Sequence, residues 1–335
     1  MARKPLLALY SATHFWVDLS CAFLVFRILS GTADFALCLL LYNFCAFAMQ
    51  MPLGLLTDRF DRNGIVAALG CVLVALAYIT PASLLTAVII GLGNALFHLG
   101  GGIDTLNISQ TKAAALGIFV SPGALGLYLG TIWGKGTALP LWPVPLVLIL
   151  LAIGILMLCR RSFGSLRSGN SPLDFSGELK PLLPLFLVVV LRSYMGMNQS
   201  FDWKSGGWTI ALVAALVLGK VSGGFLMDRA SPRKASTLSL GAAALLYLFS
   251  TFPLPGTLAV FLFNMTMPVT LWAAAKCMPG AKGFAFGTLT FALFLGFLPS
   301  WLGWPSLLTA SWSYAAVSLI SLLLLLLAFG KERLE

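Results

Sequence analysis

A histidine and an aspartate one helical turn apart, His14 and Asp18, lie in an apolar stretch spanning residues 6–30. Residues four apart share one face of a helix. At about 1.5 Å per residue, Asp18 is about 18 Å into that helix, near the depth of a membrane midplane. An ionisable group at that depth is costly and is a functional candidate by default. Arg192 lies comparably deep in the stretch 181–199. A nearby guanidinium favours the ionised carboxylate, and burial without one favours the protonated form. Asp18 and Arg192 are therefore expected to pair in one state, with Asp18 taking a proton in another. His98, in the stretch 84–104, reaches a depth similar to that of His14. Imidazole changes charge near neutral pH, so His14 and His98 are candidates to relay protons or to contact an anionic substrate. Asn94, Asn198 and Asn264 can offer polar contacts to a substrate or bond one helix to another.

A second chemistry competes with this one. His14, Asp18 and Cys21 share a face, and Met195 and Met197 lie in the seventh apolar stretch. Soft sulfur ligands beside imidazole suit a transition-metal path, which is kept as the alternative function. The six cysteines lie within or at the ends of apolar stretches, and none forms a C-x-x-C pair. Neither disulfides nor a structural zinc site is expected, and no resident metal or cofactor is assigned. No H-E-x-x-H, G-x-S-x-G or phosphate-loop motif is present, so the chain is expected not to be an enzyme.

The elements that must hold these residues are read from composition. Of 335 residues, 59% are hydrophobic and only 10% charged. A soluble domain carries about 25% charged residues, so lipid is the expected solvent. Twelve apolar stretches are expected to be spans: 6–30, 35–57, 64–81, 84–104, 113–133, 138–159, 181–199, 208–228, 235–252, 256–275, 284–303 and 306–329. Residues 160–180 are polar and rich in Ser and Gly, and read as a cytoplasmic linker between bundles at 1–159 and 181–335. With the N-terminus in the cytoplasm, sixteen Lys and Arg residues fall on inside segments and two, Lys135 and Lys204, outside. This bias predicts that both termini are cytoplasmic. It also gives the net charge of +10 a topological cause, so no nucleic-acid partner is expected.

The sequence also repeats. At an offset of 170 residues, Gly54, Leu56, Asp58 and Arg59 fall on Gly224, Leu226, Asp228 and Arg229. Asn94 falls on Asn264, Lys112 on Lys282, Gly117 on Gly287 and Gly126 on Gly296. Helices 2–5 thus match helices 8–11. Six helices is an even number, so the copies are parallel repeats related by an axis along the membrane normal. His14, Asp18 and His98 are not repeated; the positions 170 residues on are Pro184, Val188 and Pro268.

Gly54-Leu-Leu-Thr-Asp-Arg-Phe-Asp-Arg62 resembles the signature loop G-x-L-x-D-R-x-G-R of the major facilitator superfamily, with Asp61 in place of a glycine. The resemblance implies an all-α membrane protein of twelve helices in two six-helix bundles. It also implies a gating latch at Gly54, Asp58, Arg59 and Arg62, with a second copy at Gly224, Asp228, Arg229 and Arg233. Ser11 to Asp18, Gly91 to His98 and Gly117 to Gly126 further resemble the fosmidomycin-resistance branch, although Leu99-Gly100 stands where that branch has Pro-Glu. The implied function is secondary transport of a small molecule by alternating access. Proton-coupled export of a drug or anionic metabolite is the leading reading, and proton-coupled uptake is a further alternative. The implied setting is a bacterial-type cytoplasmic (inner) membrane, with a small-molecule substrate, protons and the lipid bilayer as partners, and a monomeric chain.

Overall fold

A computed structural model describes residues 3–136, 140–162 and 178–330. Most of the expected linker, residues 163–177, lies outside them, as do Lys331 and Arg333. The described residues form twelve helical rods: α1 (Arg3–Arg27), α2 (Phe35–Phe60), α3 (Asn63–Ala77), α4 (Leu84–Ser109), α5 (Ala114–Lys135), α6 (Pro143–Ser162), α7 (Leu182–Asn198), α8 (Gly206–Ala230), α9 (Pro232–Tyr247), α10 (Pro253–Cys277), α11 (Lys282–Trp301) and α12 (Ser311–Phe329). Nine are long and apolar enough to cross a membrane; α3, α7 and α9 are shorter. The chain is an all-helical, multi-pass membrane protein.

The residues explain the rods. Leu319, Leu323 and Leu327 recur every fourth position on α12 and are 48%, 61% and 71% exposed. Such a stripe is stable only against lipid. Inward faces are small instead. A side chain at Gly70 of α3 would strike Gly93 O and Phe97 N of α4, so glycine sets how closely these helices approach. Two rods are interrupted. A wider turn, Phe44–Ala48, bulges α2, and α10 breaks at Met265. The α4 helix continues past the expected end at 104 to Ser109, which keeps Asp104 inside it.

The chain divides into two compact units. The first draws on Met1–Gln110, Pro122–Asp174 and Gly280–Phe291; the second on Thr111–Ser121, Phe175–Pro279 and Ala292–Glu335. Each unit thus includes one short segment from the other half of the sequence: the start of α11 belongs with the first and the start of α5 with the second.

Candidate functional site

The first unit gathers His14, Asp18, Asn94 and His98 into one cluster. His14 and Asp18 come from α1, four residues apart, and Asn94 and His98 repeat that spacing on α4. Two facing pairs therefore meet side by side. Asn94 donates to Asp18 Oδ1 at 3.1 Å and to Cys21 Sγ at 3.5 Å. His14 Nε2 is 3.2 Å from Asp18 Oδ2, and His98 Nε2 is 3.5 Å from Asp18 Oδ1. The two imidazole Nε2 atoms are 2.9 Å apart.

Hydrogen-bond logic fixes the protons. His98 Nδ1 is 2.8 Å from the backbone oxygen of Asn94, which can only accept. Nδ1 therefore carries a hydrogen, and neutral His98 presents a lone pair at Nε2. In that neutral form of His98, His14 Nε2 faces two acceptors, that lone pair and the Asp18 carboxylate, and a proton on His14 Nε2 joins the group. Phe97, fully buried, packs edge-on against both imidazoles, with centroids 6.0 and 5.4 Å away. The side chains of His14, His98 and Asp18 are 7%, 12% and 19% exposed, so the cluster is enclosed but open to exchange.

Gly123 of α5 makes room for it. A Cβ there would collide with His14 Nε2 and stand 2.5 Å from Asp18 Oδ2. One turn on, Gly126 lets α5 lie against the α1 backbone at Phe15 and Leu19. Its counterpart in the second unit, Gly296, lies against Val190 and Tyr194. This pairing corrects the repeat register. Phe15 and Leu19 correspond to Val190 and Tyr194, an offset of 175, whereas α2 to α5 keep 170. The second half is five residues shorter between its first two helices. The counterparts of His14 and Asp18 are therefore Val189 and Ser193 rather than Pro184 and Val188. Neither is acidic or basic, so the cluster still belongs to the first half alone.

The other candidates lie in the second unit and serve separate contacts. Arg192, 8% exposed, donates through Nη2 to Thr266 Oγ1 at 2.9 Å and through Nη1 to Thr270 Oγ1 at 3.3 Å, and its buried Nε has no hydrogen-bond partner. Both threonine hydroxyls spend their hydrogens on α10 carbonyls, those of Phe263 and Met267, which turns their lone pairs toward the guanidinium. The acid partners of the histidines and the hydroxyl partners of Arg192 are thus distinct sets. Asn198 bonds Ser300 of α11 at 2.7 Å, and Asn264 bonds only its own helix, at Val260 O, among the hydrogen bonds of its side chain. Asn94 and Asn264 match in sequence but not in role. Trp203 stacks on Phe201 at 4.6 Å and donates to Ser250 O at 2.8 Å.

The repeated loops act through their aspartates. Asp58 accepts from Gly283 N at 2.7 Å and Phe284 N at 2.9 Å, capping the start of α11. Asp228 accepts from Ala113 N at 2.6 Å and Ala114 N at 3.2 Å, capping the start of α5. Both donor pairs are related by the same 170-residue offset as the aspartates. Free amides at a helix start attract an anion. Gly54 and Gly224 permit the approach, since a side chain at either would strike the capped segment's backbone. Arg59, Arg62, Arg229 and Arg233 are exposed. Asp61, where the signature has glycine, has φ 46°, and its counterpart Ser231 has φ 74°.

One buried acid escaped the sequence reading. Asp104, 3% exposed, accepts from Tyr10 at 2.7 Å and Asn63 at 2.9 Å. Its signal was available: an isolated aspartate one and a half turns past His98 in an apolar run.

No protein-family model matches the chain, and a comparison with curated proteins finds no match either. Solved structures do match. The outward conformation of FucP, a major facilitator superfamily transporter, superposes with a TM-score of 0.68 over 97% of this chain and 99% of that one, at 14% identity. A variant of the E. coli fucose:proton symporter FucP gives 0.65 over 96% and 97%, at 15% identity. Both neighbours are transporters. At such identities the likeness establishes the fold, which is that of the major facilitator transporters.

Proposed function

We propose that this chain is a secondary active transporter that works by alternating access, with His14, Asp18 and His98 as its proton-exchange site. One observation carries this reading: a carboxylate shared by two imidazoles, joined by a single proton, deep in apolar helices. Protonation changes the charge of such a group without moving any backbone, so its partners can differ between states. Arg192 is the counterpart for an anionic substrate. Among the described residues the buried guanidinium bonds to hydroxyls and to no carboxylate, and a substrate carboxylate or phosphate supplies a counter-charge. Asp58 and Asp228 are the latch, each closing on a helix start that an opposite state would release. All twelve rods cross the membrane, and the charge bias puts both termini on the cytoplasmic side of a bacterial-type inner membrane.

The direction of transport rests on two likenesses that disagree. The α1, α4 and α5 motifs resemble the fosmidomycin-resistance branch and favour export by proton antiport of an anionic or amphipathic compound. The fucose:proton symporter among the fold neighbours favours uptake. A thermal-shift screen of small carboxylates, phosphates and amphipathic anions on the purified chain identifies a substrate. Flux of that compound in proteoliposomes under imposed pH gradients of either sign then gives the direction. Asp18→Asn is expected to abolish gradient-driven accumulation, and Arg192→Gln to raise the KM. Undiminished accumulation by Asp18→Asn overturns the proton assignment.

A further inference from the structure

We infer that His14, His98 and Asp18 form a binding site for a divalent transition-metal ion of the zinc and cobalt type, which takes the place of the shared proton. The inference rests on the proton-exchange reading of the same cluster and adds a ligand to it. Ligand atoms about 2.0–2.1 Å from a tetrahedral ion stand about 3.3–3.4 Å apart. Here the two Nε2 atoms are 2.9 Å apart, His14 Nε2 is 3.2 Å from Asp18 Oδ2, and His98 Nε2 is 3.5 Å from the other carboxylate oxygen, Oδ1. All three donors lie within 4.8 Å of one another.

The surroundings agree. A metal-binding imidazole commonly donates its other nitrogen to a carbonyl, which fixes the tautomer and aims the ligand. His98 Nδ1 does this with Asn94 O at 2.8 Å. Asn94 also holds Asp18 Oδ1 from outside the trio at 3.1 Å. Gly123 packs closely against His14 Nε2 and Asp18 Oδ2, and no side chain at that position comes between the donors. Two imidazoles and one carboxylate suit zinc, cobalt, nickel or ferrous iron and do not suit magnesium, which prefers oxygen donors. Cys21 is no ligand. It is fully buried, and its Sγ accepts from Asn94 Nδ2 at 3.5 Å. The donor set thus differs from the His14, Asp18 and Cys21 trio that the sequence suggested, because α4 brings His98 to the place that the thiol was expected to take.

One proton leaves for each nitrogen lone pair that must be freed, and the divalent ion that enters brings one more positive charge than a single displaced proton took away. A proton on His14 Nε2 must pass to solvent before that nitrogen can bind the ion. Metal and proton therefore compete, and affinity rises with pH by about tenfold per unit for each proton displaced.

The test uses the purified full-length chain, stripped with chelator, and the metals alone. Cobalt(II) chloride is expected to give the visible ligand-field absorption of a four-coordinate nitrogen and oxygen site. Zinc chloride is expected to displace it and to raise the unfolding temperature, more at pH 8 than at pH 6. His98→Gln and Asp18→Asn should each lose the spectrum and the shift, and Cys21→Ser should keep both. Far-ultraviolet circular dichroism confirms that each variant is folded. A Cys21→Ser variant that loses the spectrum overturns the donor set. Equal stabilisation by magnesium, or unchanged cobalt binding in both His98→Gln and Asp18→Asn, overturns the site. Absence of binding while substrate-driven proton flux in chelator-treated proteoliposomes still depends on Asp18 would sink the metal site and leave the transport reading standing.

Discussion

At the residue scale, the protein places its few polar groups where they satisfy one another. Asp18 alone in lipid would be costly by several kcal/mol. Between His14 and Asn94 it has a donor for each oxygen. Gly123 completes this arrangement by what it lacks. Gly123→Ala adds a methyl group where the side-chain atoms His14 Nε2 and Asp18 Oδ2 stand, so the paired side chains must shift in a closely packed site. The substitution is expected to cost about 1–3 kcal/mol of stability and to reduce substrate flux sharply. Thermal unfolding and proteoliposome flux on one preparation check both effects. His14, Asp18 and His98 were each legible from the sequence as ionisable residues in apolar runs. Their union was not, because α1 and α4 are separated by more than fifty residues. The segment between the two helices runs from residue 28 to residue 83, and only packing decides which faces meet.

At the element scale, the repeated loops combine a capping aspartate with a strained residue. Each aspartate caps two free amides at a helix start. Asp58→Ala or Asp228→Ala is expected to cost about 1 kcal/mol, a typical value for a lost cap. The two caps share no residue, so the double variant should cost the sum. Denaturation of single and double variants in mild detergent measures this. Ser231 tests the other half of the motif. At φ 74° and ψ 155° it occupies a region that glycine alone enters freely. Ser231→Gly is expected to stabilise the chain by about 1 kcal/mol in the same assay. The glycine of the superfamily signature thus has a backbone reason, which both copies here forgo. The repeated loops could be read in sequence because their motif is written in adjacent residue types. That each aspartate caps a helix start more than a hundred residues away could not.

At the scale of the whole molecule, duplication supplied the scaffold and divergence supplied the chemistry. The 170-residue register holds through α2 to α5 and α8 to α11, down to the matched caps, and slips to 175 at α1 and α7. Orientation is the corresponding prediction. In a chain whose six cysteines are replaced, a cysteine at Lys204 is expected to react with an impermeant maleimide in intact cells. One at Lys234 should react only after the membrane is opened. The reverse pattern would invert the positive-inside assignment. The sequence by itself determined the membrane class, the repeat, the loops and the cast of polar residues, since hydropathy, charge bias and local motifs are written in residue type and order. The tertiary structure alone decided three matters: that His98 rather than Cys21 joins His14 and Asp18, that Arg192 is held by Thr266 and Thr270, and that Asn94 and Asn264 part ways. These are questions of which helix faces which neighbour and at what height. Helices of nearly uniform apolarity, packed through glycines, leave that choice to the whole set of contacts rather than to any one segment.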